Sequence, residues 1–231
     1  MTPAILEQLN AARAGAKPAL VVRRLRDNAQ SLWIDGLLVD GDALPAEVET
    51  TLLDALRSDR STKLEAAGES WFVQVFNPPL RLVVVGAVHI AQALVPMAQV
   101  AGYAVTVVDP RRAFGSDVRF PGVSMSNDWP DEALAQLQPD ARTAVVTLTH
   151  DPKIDDPALV AALRSEAFYV AALGSKRTHG QRVERLRAAG FVDVEIGRVH
   201  GPAGLPLGAV SPAEIAISVL AEMTSVLRRA A

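Results

Sequence analysis

Cysteine is absent from all 231 residues. That gap excludes a disulfide framework, a thiolate metal site and a cysteine nucleophile, and it suits a chain kept in a reducing compartment. Long apolar runs are missing too. None approaches the roughly 20 residues that span a bilayer. The opening stretch MTPAILEQLNAARAGAKPAL lacks the charged-then-apolar pattern of a secretory leader. The expectation is a soluble, cytoplasmic protein with no membrane span. There is no basic excess either. The formal net charge is −3 with both signs scattered, so the basic stripe of a nucleic-acid binder is lacking and no nucleic-acid partner is expected. Cations gather only locally, at Arg23-Arg24-Arg26, Arg111-Arg112 and Lys176-Arg177. Such clusters serve as solvated faces or hold a small anion. No internal repeat or low-complexity segment is present.

Hydrophobic residues make up 49% of the chain, enough for a sizeable core. The pattern changes at Asn77-Pro78-Pro79, where two prolines stop strand and helix alike. Residues 1–78 read as a small α+β domain. A helix spans Thr2 to Ala14, with Thr2 as cap and Pro3 at the first helical position. "ALVVRRL" and "SLWIDGLLVD" read as strands, a helix runs from Pro45 to Ser58, and "SWFVQVF" is a further strand. From residue 79 to 231 strands and helices alternate strictly. The strands are "RLVVVG", "AVTVVD", "TAVVTLT" and "FYVAALG". Helices are expected over His89 to Ala101, Asp131 to Gln138, Pro157 to Ser165 and Arg177 to Ala189. A last helix starts at the capping box Ser211-Pro212-Ala213-Glu214 and runs to the C-terminus. This is the signature of an α/β domain with a parallel sheet covered on both faces.

Ligands of such a sheet lie beyond the carboxyl ends of its strands, and those ends are polar here. The first ends at Gly86-Ala87-Val88-His89. Gly86 makes the tight turn, and the following helix start offers free N–H groups. Val88 stands where G-x-G-x-x-G has its second glycine and would crowd a dinucleotide, while the same turn serves equally as plain packing. The second strand ends at Asp109-Pro110-Arg111. An acid about 20 residues past the first glycine suits a ribose hydroxyl, and Arg111 suits a phosphate; a surface Asp–Arg pair is the other reading. Thr147 to Asp151 bring hydroxyls, His150 and Asp151 together. His150 can act as acid or base, as donor to a ligand, or as a helix-capping partner. One histidine among irregular carboxylates gives no metal-ligand spacing. Gly174-Ser175-Lys176-Arg177 suits an anion at a helix start, without the spacing of a Walker A loop. The Gly/Pro loop from His200 to Ser211 reads as a lid.

The motifs "GAVHIA", "VVDPR", "RFP", "LTHD", "ALGSKR" and "GLPLG…SPAEIAISVLAEM" resemble the XdhC/CoxI family of molybdenum-enzyme accessory proteins, from about Arg81 to the C-terminus. The resemblance implies a Rossmann-like domain behind a smaller N-terminal one. It implies binding of the molybdenum cofactor, as molybdopterin or its dinucleotide form. It further implies help with sulfuration by a cysteine desulfurase and delivery to a xanthine dehydrogenase-type hydroxylase, with no turnover by the accessory protein. Carried over by position, the cofactor-side residues are Gly86, His89, Asp109, Arg111, His150, Asp151, Gly174, Ser175, Lys176 and Arg177. The sequence departs from the family at Val88, where glycine is usual, and in "GDALPAEVE", where a glycine-rich stretch ending in Cys-Val-Glu is usual. An NAD(P)-dependent oxidoreductase is the alternative, and an interaction module with a vestigial fold a third. Ile215, Ile217, Val219, Leu220 and Met223 form an apolar face on the last helix, fit for core or for a homodimer interface.

Overall fold

The computed structural model describes residues 1–114 and 118–229. The chain divides into two compact units, residues 1–78 and residues from Pro79 onward.

In the first unit, α1 (Pro3–Ala14) starts as its sequence dictates, with the Thr2 hydroxyl accepting from the Ile5 N–H at 3.3 Å. There follow β1 (Ala19–Arg24), β2 (Gln30–Ile34), β3 (Leu37–Asp40), α2 (Ala46–Ser58), β4 (Thr62–Ala66) and β5 (Glu69–Phe76). The strands pair antiparallel in the order β3-β2-β1-β5-β4. Alternation along β1 divides the core between the faces. Leu20 and Val22 pack with Val48, Leu52 and Ala55 of α2, and Ala19 and Val21 with Ile5, Leu9 and Ala12 of α1. The expected single strand "SLWIDGLLVD" is a hairpin. Asp35 and Gly36 take φ of 53° and 78°, the doubly left-handed turn that Asp-Gly favours. β4 escapes the sequence reading because its turn, Ala67-Gly68 at φ 52° and 74°, carries only one of the usual turn residues.

The second unit runs β6 (Leu80–Val85), α3 (His89–Val100), β7 (Tyr103–Val108), β8 (Ser124–Ser126), α4 (Pro130–Leu137), β9 (Thr143–Thr147) and α5 (Pro152–Leu163). It continues with β10 (Tyr169–Ala172), α6 (Lys176–Ala188), α7 (Asp193–Ile196), β11 (Val199–His200) and α8 (Pro212–Arg229). Its sheet is parallel throughout, in the order β11-β10-β9-β6-β7-β8. Successive residues again serve opposite faces. Leu82, Val84 and Val146 meet α3 and α8, while Val83, Val85 and Val145 meet the layer of α4, α5 and α6. Burial on both faces is why these strands are almost wholly apolar. Strand order reverses on either side of β6, so the crevice of this sheet opens between the ends of β6 and β9.

Two expectations change, and the apolar face of α8, read as core or interface, is seen to pack. α5 begins at Pro152, with Asp151 as its cap, and Pro157 lies inside it. The Asp-Pro start signal prevails over the later proline. β8, β11 and α7 escape the sequence reading, being too short to show a period. The apolar face of α8 closes on the core. Val219 and Met223 are fully buried, Ile215 and Leu220 pack against the same cluster, and Ile217 is left outside. The expected run of α8 to the C-terminus falls, for residues 230 and 231, outside the described residues. Among the described residues no helix is long and apolar enough to cross a membrane.

Candidate functional site

β6 delivers its chain to the crevice through Gly86, at φ 110°. A Cβ there would lie 2.5 Å from Thr149 Cγ2 and 3.3 Å from the Thr149 backbone nitrogen. This glycine lets the ends of β6 and β9 touch. Val88 is the N-cap of α3 and supplies no side-chain cap. His89, at the first helical position, is exposed. The helix starts after β9 and β10 are closed differently. The Asp151 carboxylate accepts from the Lys153 N–H at 3.0 Å, and the Ser175 hydroxyl from the Thr178 N–H at 3.1 Å. Of these three helix starts, α3 alone has no side chain over its N–H groups, and those groups carry the positive end of the helix dipole.

The end of β7 is committed to the protein itself. Asp109 is fully buried. Its carboxylate accepts from the Ala87 N–H (2.8 Å), the Arg111 N–H (3.0 Å), and Arg111 Nε (2.9 Å) and Nη2 (2.8 Å). Burial pushes this carboxyl up, but the bonds from Arg111 and from the two backbone N–H groups outweigh it and hold it below the ordinary aspartate value. The residues expected to meet a ribose and a phosphate are thus bonded to each other, and Asp109 ties the β6 turn to β7. Arg111 also lies over the Phe114 ring, 4.4 Å from its centroid, a cation–π contact. The Phe114 carbonyl accepts from Arg119 Nη1 at 2.6 Å, and Arg119 Nη2 donates to Gln92 Oε1 at 3.2 Å.

After β9, His150 is exposed and takes a left-handed backbone, φ 63°. The buried Asp155 carboxylate lies beneath this corner. It accepts from the Thr149 hydroxyl at 2.7 Å, the Thr149 N–H at 3.3 Å and the His150 N–H at 3.1 Å. After β10, Gly174 takes φ 146°, and a Cβ on it would lie 3.1 Å from Thr178 Cβ. Lys176 and Arg177 project into solvent from the first turn of α6. The expected lid is anchored over its first half. The Ala203 N–H donates to the Ala172 carbonyl, the Leu205 N–H to that of Ser218, and the Gly204 N–H to Glu222 Oε2 at 2.8 Å. A Cβ on Gly204 would sit 2.3 Å from Ser218 Oγ, so this glycine seats the loop on α8.

Together these strand ends enclose a cleft of about 570 Å³. Its walls are Val88, Ile90, Ala113, Phe114, Leu148, Leu173 and Pro212, and its polar groups are His89, Arg119, Thr149 and His150. Of the residues expected from sequence, His89 and His150 reach this lining. Gly86 and Asp109 shape it from behind. Arg111 touches its Phe114 wall, Asp151 and Ser175 cap helices, and Gly174, Lys176 and Arg177 stand outside the lining. Sequence reasoning misses Phe114 and Arg119, although Arg119 opens the "RFP" motif. Among the described residues no group of three or more His, Cys, Asp or Glu is placed to hold a metal ion.

A doubly wound parallel sheet with a largely apolar cleft at its switch point, flanked by an open helix start, defines a Rossmann-like binding domain. The model of the XdhC Rossmann domain matches residues 82–223, and the chain belongs to that family. It is 34% identical over 151 residues to the molybdenum cofactor insertion chaperone PaoD of Escherichia coli, covering 65% of this chain and 41% of that protein. It is 29% identical over 161 residues to a protein of Bacillus subtilis described as a probable xanthine dehydrogenase component, covering 69% of this chain and 47% of that one. The chain therefore spans less than half the length of these relatives. A crystal structure described as a xanthine dehydrogenase from Bacillus halodurans shares the fold, with a TM-score of 0.72 at 23% identity over 97% of this chain and 64% of that one.

Proposed function

We propose that this protein binds the molybdenum cofactor in the cleft above β6 and β9 and serves as an accessory protein to a molybdenum hydroxylase. The observation that carries the reading is the cleft's composition. A flat, partly apolar ring system suits walls of Phe114, Leu148, Leu173 and Val88. His89 and His150 offer ring nitrogens to its polar edge, and the open start of α3 suits a phosphate. The residues present fit such a group. Its chemistry when bound, oxygen and sulfur exchange at molybdenum, belongs to the cofactor. The chain's own residues bind it, orient it and keep water from its apolar face.

In this reading the partners are a xanthine dehydrogenase-like hydroxylase and a cysteine desulfurase in the cytoplasm. With no cysteine, the chain cannot carry sulfur as a persulfide, so the sulfur must reach the cofactor from the partner's own cysteine. The test is to load the full chain with cofactor and mix it with apo-hydroxylase, L-cysteine as the sulfur source and a cysteine desulfurase. Activation that requires the desulfurase's cysteine is expected. Equal activation without that cysteine removes the sulfuration role, and no activation in either case removes the delivery role.

A further inference from the structure

Beneath the cleft floor two opposite charges are buried on neighbouring helices. Asp155 of α5 is 2% exposed and Arg182 of α6 is 1% exposed. Capping does not explain Asp155, because Asp151 already caps α5. Each of its side-chain hydrogen bonds goes to Thr149 or His150, residues that line the cleft. Arg182 Nη2 donates to the carbonyl of Leu173 at 2.9 Å, and Leu173 lines the same cleft from the end of β10. Arg182 Nε and Nη1 have no protein partner among the described residues. Burial holds the Asp155 carboxyl above the ordinary aspartate value, the charge of Arg182 offsets this only in part, and no direct ion pair joins the two among the described residues. A buried charge pair of this kind is a poor source of stability and is better suited to fixing one arrangement among several. Here the arrangement has a visible cost, since His150 is held in a left-handed backbone that non-glycine residues seldom adopt.

We propose that Asp155 and Arg182 are positioning residues that hold the Thr149–His150 corner and Leu173 from below, and so aim the His150 imidazole into the cleft. Asp155 acts directly on the corner. Arg182 acts on the end of β10 by donating to the Leu173 carbonyl. The inference rests on the reading of the cleft as the binding site, but its first test needs no ligand.

That test is the His150 ring resonance in NMR spectra of the full chain, assigned among the four histidines with His150→Gln. Asp155→Asn is expected to move this resonance while those of His89 and His200 stay in place. An unmoved His150 resonance in a folded Asp155→Asn protein overturns the proposal and makes Asp155 a core residue only. If that variant does not fold, hydrogen exchange on the unaltered protein decides, because slow exchange of the Thr149 and His150 amides is expected and unprotected amides overturn it. The second arm uses molybdopterin as the probe. Asp155→Asn and His150→Gln should each weaken binding about tenfold, and the double variant should be no weaker than either alone. Additive losses contradict the proposal. Failure of the unaltered chain to bind molybdopterin would count against the function proposed above and leave the NMR result to decide the positioning.

Discussion

Val88 is the residue at which this turn departs most visibly from a dinucleotide-binding one. Its side chain lines the cleft where a second glycine would let a pyrophosphate approach the backbone. Titration with NAD and NADP should therefore show no binding below millimolar, whereas micromolar binding of either would favour an oxidoreductase. Asp109 illustrates what sequence conveys about one residue and what it does not. A carboxylate at the end of β7 was legible from its distance to Gly86. Its engagement by Ala87 and Arg111 was not, because it depends on how the two strand ends meet. Truncating Asp109 to Ala should cost about 3 kcal/mol of stability, as expected when one member of a hydrogen-bonded buried pair is removed; a loss well under 1 kcal/mol by denaturant titration would show the brace to be idle.

His179 is a further residue with a measurable signature. Its Nδ1 is buried without a partner among the described residues, and Gly201 abuts the ring. Burial, then the charge of Arg182, holds its pKa below the ordinary 6.5. The unfolded chain thus takes up a proton that the folded chain resists. The stability contributed by neutral His179 is present above about pH 6.5 and is lost as pH falls from there toward the lowered folded value. His179→Asn should flatten the stability curve over that window, and an unchanged slope would refute the assignment.

At the scale of elements, of the starts of α3, α5 and α6 only that of α3 is without a side-chain cap. Sequence places the anion at "GSKR", and the glycine, hydroxyl and cations there are a reasonable signal. The hydroxyl of Ser175 is, however, the cap itself, and capping cannot be told from ligand binding by residue type alone. The structure sets Arg119 in the cleft lining and leaves Lys176 and Arg177 outside it. Arg119→Ala should weaken phosphate-dependent binding by about 1.5–3 kcal/mol, roughly tenfold to a hundredfold. Lys176→Ala and Arg177→Ala should change it by less than about twofold. The reverse pattern in binding titrations would return the phosphate to α6.

At the scale of the whole molecule, the doubly wound sheet was legible because its strands are buried on both faces and read as apolar runs between helical stretches. The antiparallel unit was less so. Its hairpins turn on Asp35-Gly36 and Ala67-Gly68, and the latter pair carries too little turn chemistry to stand out. The cleft was legible as a set of polar strand ends, and His89 and His150 do share it. Phe114 and Arg119 were not, because the long connection from β7 to β8 follows no period that would show where it folds back. The apolar stripe of α8 was compatible with an interface and more often means core, and its packing with α3 puts all but Ile217 against the core.

The proposed function requires that the cleft hold the molybdenum cofactor. Its most direct test is the metal content and absorption spectrum of the full chain purified from a host that makes the cofactor, beside a His89→Ala, His150→Ala double variant. Molybdenum and pterin approaching one per chain in the unaltered protein, with most of both lost from the double variant, is the result expected. Protein that carries neither, or a double variant that retains both in full, would contradict it.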